Sequence, residues 1–167
     1  MSSAAIAEAE KILYRAGLAL EQGQVDTAVD ILEELLGIYP DFGKAFSMLG
    51  SIYFLKFNDF LNAEINLKKA IEFAPEYAAS YILYAELLIA QEKFTDAIAK
   101  LNKASTLAGV KRDRINYLFG MINELQSKHD EAIAYYKKAI AVTLSDDDFV
   151  KFEKAIARCI TKKKYAS

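Results

Sequence analysis

The chain has 167 residues, 53% hydrophobic and 26% charged, a composition that excludes a disordered chain and one built from membrane spans. Its net charge of -2 gives no general attraction to phosphate backbones, so we expect no nucleic-acid partner. No stretch of eighteen or more apolar residues occurs, so we expect no membrane insertion. The single cysteine excludes an internal disulfide framework and a multi-cysteine metal site, and a cytoplasmic protein is the expectation.

Apolar residues recur every three or four positions along the chain, which predicts helices. Four helical segments can be superposed on one another. The first small residues of these segments are spaced by 35, 34 and 35 positions: Ala28, Ala63, Ala97 and Ala132. Another small residue precedes each of these by twelve or thirteen positions: Ala16, Gly50, Ala85 and Gly120. The chain is therefore predicted to contain four helix pairs.

Turn signals separate the two helices of every pair. They are Gly23, the pair Asn58 and Asp59, and the segments QEKFTD and SKHDE. The second pair needs one extra residue, predicted in its turn, because Gly50 and Ala63 are thirteen positions apart. Pro40, Pro75 and Gly109 are predicted to end the second helices of the first three pairs.

A further helix is predicted over about 146–163. Ser145 and Asp148 have the spacing of a helix-capping box. Phe149, Phe152, Ile156 and Ile160 form one apolar stripe, with lysines outside it. This helix is expected to cover the core of the fourth pair.

The chain resembles the tetratricopeptide repeat (TPR) family, whose unit of about 34 residues is a helix-turn-helix. The second pair carries the pattern most completely, at Phe46, Leu49, Gly50, Tyr53, Ala63, Leu67, Ala70 and Pro75. The resemblance implies an all-α, right-handed superhelix of four repeats plus a C-terminal capping helix. A single TPR domain over 1–167 is predicted, with repeats at about 8–41, 42–76, 77–110 and 111–144.

Few residues could support catalysis. His129 is the only histidine and lies at a predicted turn or helix start, and Cys159 is expected to be a packing residue on the last helix. Neither a glycine-rich phosphate loop nor a paired-histidine metal motif is present. The sequence predicts no enzyme, no cofactor and no metal site.

The inner face of the first helices lines a concave groove in TPR proteins. On the corresponding positions we predict a mainly apolar protein-binding groove with seven contact residues: Leu13, Met48, Phe54, Leu83, Ile89, Leu118 and Met121. The carboxylate clamp of Lys, Asn and Arg by which some TPR domains hold acidic C-terminal peptides is absent, because the matching positions lack such donors.

The predicted function is a scaffold or adaptor that binds an apolar peptide or amphipathic helix of another protein in this groove. Two alternatives stay open at this point. One is a secretion-type chaperone for a hydrophobic client. The other is a subunit whose function is self-association into a homo-oligomer.

Overall fold

The computed structural model describes residues 1–166, which form nine α-helices and no strand. They are α1 (Ser3–Glu21), α2 (Val25–Ile38), α3 (Gly43–Leu55), α4 (Phe60–Phe73), α5 (Ala78–Ala90), α6 (Phe94–Ser105), α7 (Arg112–Leu125), α8 (His129–Ile140) and α9 (Asp146–Ala166). The predicted all-α architecture of four helix pairs and a ninth helix is confirmed.

The chain divides into two compact units, Met1–Leu87 and Leu88–Ser167, here called unit 1 and unit 2. Unit 1 contains α1 to α4 and most of α5, and unit 2 begins in the last turn of α5. The single domain expected over 1–167 stays a prediction.

The turn inside each helix pair has the same backbone geometry. One residue in every turn adopts a positive φ: Gly23 (75°), Asn58 (53°), Glu92 (58°) and Ser127 (61°). The next residue then donates a backbone hydrogen bond into the last turn of the first helix, as from Lys93 to the Leu88 carbonyl at 2.9 Å. The second turn spans 56–59, against three residues in the other turns, so the predicted extra residue is confirmed.

The ends of the helices follow local signals, with two differences from expectation. Helix α1 begins at Ser3, before the predicted start of the first repeat, because the Ser2 hydroxyl accepts a hydrogen bond from the Ala5 amide at 3.2 Å. Helix α6 ends at Ser105, four residues before Gly109, and the Ser105 and Thr106 hydroxyls donate to carbonyls of its last turn. The prediction that Gly109 ends this helix was wrong.

Small residues allow the two helices of a pair to approach closely. The four repeating alanines, Ala28, Ala63, Ala97 and Ala132, are fully buried. A Cβ added to Gly50 would lie 2.7 Å from Cγ of Leu67, and one added to Gly120 would lie 2.5 Å from Cε1 of Tyr136. The space beside each glycine is therefore already filled by a large residue of the second helix.

Candidate protein-binding surfaces

A shallow cavity of about 240 Å³ in unit 1 brings together two of the predicted groove residues, Leu13 of α1 and Met48 of α3. The other residues lining it are Glu10, Tyr14, Gly17, Leu18 and Glu21. A Cβ on Gly17 would lie 4.0 Å from Cε of Met48, so the glycine leaves the methionine side chain accessible beside α1. The cavity therefore has an apolar floor between acidic residues.

Two further groove residues of unit 1 keep part of their surface exposed. The ring of Phe54 lies 5.8 Å from that of Phe60, which covers one side of it. Leu83, on α5, is also only partly buried. Both side chains retain surface that a partner could cover.

In unit 2 the predicted groove residues differ in accessibility. Met121 is partly buried, whereas Ile89 is 3% exposed and Leu118 1% exposed. A partner cannot contact these last two without displacing their neighbours, so they belong to the core. The reason is that a first helix of a repeat packs on more than one side, and helical spacing alone does not separate the packed sides from the open one.

A cavity of about 810 Å³ in unit 2 is more polar than the predicted groove. It lies beside the N-terminal ends of α7 and α9, and its lining residues are Val110, Lys111, Arg112, Asp113, Arg114, Val142, Leu144, Ser145, Asp148 and Phe152. Three cationic and two acidic side chains share it with exposed apolar groups, among them the fully exposed Leu144. The prediction of a mainly apolar groove therefore agrees better with the cavity of unit 1 than with this cavity of unit 2.

The carboxylate of Glu124, near the end of α7, is buried and receives four hydrogen bonds. Tyr136 of α8 donates its hydroxyl at 2.8 Å. Arg158 of α9 donates Nε and Nη2 at 2.6 and 2.7 Å, and Lys162 donates Nζ at 2.9 Å. One side chain that is 5% exposed therefore ties α9 to both helices of the fourth pair.

This arrangement determines the charge of the buried group. Burial by itself would raise the pKa of Glu124, but the hydrogen bonds from Arg158, Lys162 and Tyr136 outweigh it and lower that pKa to about 2. Burial raises the pKa of Tyr136, and the hydrogen bond to Glu124 raises it further. Glu124 is therefore a carboxylate and Tyr136 a neutral donor at neutral pH.

Sequence reasoning missed this network, although one signal for it was present. Tyr136 occupies the repeat position at which the other three pairs carry Leu32, Leu67 and Leu101. Because the other repeats carry an apolar side chain at this position, the hydroxyl of Tyr136 requires a hydrogen-bond partner that is buried with it. Glu124 stands twelve positions before Tyr136 and Arg158 stands 34 after Glu124, which is one repeat length.

Neither residue considered for catalysis lies in an activating environment. His129 is the first residue of α8, and its Nδ1 is buried with no hydrogen-bond partner. Cys159 is fully buried against α8, and burial raises the pKa of its thiol to about 11. A thiol of this kind is a poor nucleophile at neutral pH.

Cys159 can instead report the docking of α9. In the folded chain we expect almost no reaction with a water-soluble disulfide reagent at pH 8, and full reaction in denaturant, because both burial and the raised pKa disfavour the thiolate. The measurement is the time course of thiol labelling with and without urea. Stoichiometric labelling of the native chain within minutes would contradict the buried position.

Within the part of the chain that the structure describes, no three His, Cys, Asp or Glu side chains cluster in a way that could hold a metal ion. No helix there combines the length and the apolar character needed to cross a bilayer.

Comparison with known sequences supports the repeat assignment. Family models described as tetratricopeptide repeat match residues 11–41, 43–77 and 87–148. Mouse Superkiller complex protein 3 is 30% identical over an alignment of 143 residues, and the match covers 82% of this chain and 9% of that protein. The chain thus spans less than a tenth of this relative.

Solved structures show the same fold at low sequence identity. PilF of Pseudomonas aeruginosa superposes with a TM-score of 0.85 at 18% identity, over 98% of this chain and 72% of its own. Yeast Tom70 gives a TM-score of 0.78 at 19% identity, over 93% of this chain and 34% of its own. A TPR protein of Thermus thermophilus gives 0.76 at 21% identity, over 89% of this chain and 81% of its own. With three family matches that run from the first helix pair into α9, the chain belongs to the tetratricopeptide repeat family.

Proposed function

We propose that this chain is a non-enzymatic scaffold or adaptor that binds an apolar segment of another protein through the first helices of its repeats. Membership of the TPR family supports protein binding as the general activity. The cavity of unit 1 carries the finer proposal, because Leu13 and Met48 meet there on adjacent first helices.

The chemistry of this cavity defines the segment that would fit. Glu10, which pairs with Lys44, and Glu21 line the cavity beside its apolar residues, and Tyr14 is 67% exposed. An amphipathic helix with apolar anchors and flanking basic residues would satisfy both features.

One apolar anchor is too weak to hold a partner. A buried large apolar side chain gives about 1.5 to 3 kcal/mol, against an association cost of about 4 to 15 kcal/mol. We therefore include the other partly exposed residues of unit 1, Phe54 and Leu83, among the proposed contacts, and Met121 of unit 2 is proposed as a contact in its own right. The buried Ile89 and Leu118 are left out of this set.

The test is affinity capture by the full chain, with the bound proteins identified and quantified. In Met48→Glu, and in the double variant Leu83→Glu with Met121→Glu, the captured partner should fall at least about tenfold, because a carboxylate would be buried against an apolar side chain. The matched control is Ile65→Glu, at an isoleucine of α4 that is 44% exposed and outside the proposed contacts.

Unchanged capture by the two groove variants, with the helical circular-dichroism signal retained, would refute the proposal. A captured protein that precipitates when it is expressed alone, and stays dissolved when co-expressed with this chain, would identify the chaperone form of the same function.

A further inference from the structure

Helix α9 covers the fourth pair with only part of its apolar surface. Phe152, Ala155 and Cys159 are buried, and the last two pack with Ala132 and Tyr136 of α8. Phe149 and Ile160 of the predicted covering stripe are instead 40% and 46% exposed. The expectation that this helix covers the core of the fourth pair is confirmed, but two of the four residues of the predicted stripe stay exposed.

The exposed Phe149 and Ile160 lie on one face of α9, together with the exposed Glu153 and the partly buried Ile156. Phe149, Glu153, Ile156 and Ile160 are separated by four, three and four positions, so they share one face. We call these four residues the outer stripe. Ile156 is partly buried, because one side of it packs against the core of the fourth pair. Glu153 is the charged member of the outer stripe. The 4-3-4 spacing is that of a seam between two long helices.

The two ends of α9 carry opposite charges. Asp146, Asp147 and Asp148 occupy its first turn, and Lys162, Lys163 and Lys164 lie near its end. Lys162 and Lys163 also reach back to Glu124 and Asp130, with their side chains still 49% and 48% exposed. If a second α9 lay alongside in the antiparallel direction, each acidic end would meet a basic end, whereas a parallel neighbour would oppose like charges.

We propose that two copies of this chain associate by antiparallel pairing of their α9 helices along the outer stripe. The pairing removes Phe149, Ile156 and Ile160 of both copies from water and brings Asp146, at the acidic end of one copy, toward Lys163 and Lys164, at the basic end of the other. A pair of single helices forms a small interface, and we expect a weak dimer that exchanges with monomer at micromolar concentrations. This surface is separate from the proposed peptide contacts, and its failure would leave the proposed function standing.

The first experiment is sedimentation equilibrium of the full chain from about 1 to 300 µM, a range suited to a small interface. Wild type should pass from monomer to dimer, and Ile160→Ser should raise the dissociation constant at least about tenfold. Ile65→Ser is the matched control, because this isoleucine of α4 has nearly the same exposure, 44% against 46%, and lies outside the outer stripe. A wild-type chain that stays monomeric at the highest concentration, or an equal effect of the two substitutions, would overturn the proposal.

The second experiment tests the direction of pairing with two charge-reversed chains. One carries Asp146→Lys with Asp147→Lys, and the other carries Lys163→Glu with Lys164→Glu. Each alone should dimerise more weakly than wild type, and an equimolar mixture should form a heterodimer of restored affinity. In a parallel pair the same ends of the two copies face each other, so like charges would be opposed both before and after the charge reversal. Self-association of either variant as strong as that of wild type would therefore overturn the antiparallel arrangement.

Two measurements separate these effects from misfolding. The slow labelling of Cys159 should persist in every variant, because the substituted side chains are exposed and α9 stays docked through Phe152, Ala155 and Glu124. Raising the salt concentration from about 50 to 500 mM should weaken the wild-type dimer, since exposed charges are screened over about 10 Å or less. Mixing cannot restore affinity to a chain that has lost α9, so a heterodimer supports pairing and its absence overturns it.

Discussion

Replacement of Glu124 with alanine is expected to lower the free energy of unfolding by about 3 kcal/mol, as for other buried ion pairs that lose one partner. The substitution leaves the fully buried hydroxyl of Tyr136 without an acceptor and removes the link from α7 to Arg158 and Lys162. Urea denaturation followed by circular dichroism measures the loss. Faster labelling of Cys159 should accompany it, because α9 is held less firmly.

Two variants serve as controls for this prediction. Glu124→Gln should cost less than the alanine, because its amide oxygen still accepts a hydrogen bond from Tyr136 while the charge is lost. Glu72→Gln, at an exposed position of α4, should change the free energy of unfolding by no more than about 0.5 kcal/mol. If Glu124→Ala cost no more than this surface control, the network would not contribute to stability.

The same carboxylate makes the stability depend on pH. Its pKa is about 2 in the folded chain, against an ordinary value of 4.5. A carboxyl group with a lowered folded pKa contributes stability that is fully present above the unfolded pKa and is lost as pH falls toward the folded pKa. The difference in unfolding free energy between wild type and Glu124→Gln should therefore be largest above pH 4.5 and shrink as the pH falls toward 2. An equal difference at pH 7 and pH 3 would contradict this.

Gly120→Ala is expected to destabilise the chain by about 2 to 3 kcal/mol, the upper range for an overpacked core. The added Cβ would lie 2.5 and 2.6 Å from two ring carbons of Tyr136. That ring cannot easily move away, because its hydroxyl is held by Glu124 and the ring of Tyr117 packs against it, with 5.6 Å between the ring centroids. Chemical denaturation of the variant measures the cost.

A second helical glycine provides the matched control. A Cβ on Gly37, in α2, meets no atom within 4 Å, so Gly37→Ala should stabilise the chain by about 0.5 kcal/mol through its effect on the unfolded backbone. In a Tyr136→Leu background, the cost of Gly120→Ala should fall, since the first pair combines Ala16 with Leu32. A loss from Gly120→Ala no larger than about 0.5 kcal/mol would show that the helices can separate at this point.

The repeats were readable from the sequence because the information that forms them is local. Apolar residues at helical spacing, a turn residue after each first helix and a small residue on each helix recur every 34 or 35 positions, from Ala28 to Ala132. Even the longer turn before α4 followed from counting between Gly50 and Ala63. These features determined the all-α fold, the helix pairs and the last helix.

Tertiary packing alone decided which side chains are reachable. Helical periodicity places Leu118 on the same side of α7 as Met121, yet only the structure shows the first 1% exposed and the second partly open. In the same way, tertiary packing leaves Phe149 and Ile160 exposed. It also brings Glu124 into hydrogen-bond contact with Arg158, 34 residues further along the chain. A sequence pattern specifies on which side of its own helix a residue lies. The exposure of its side chain and its hydrogen-bond partners depend on which neighbouring helices pack against that side.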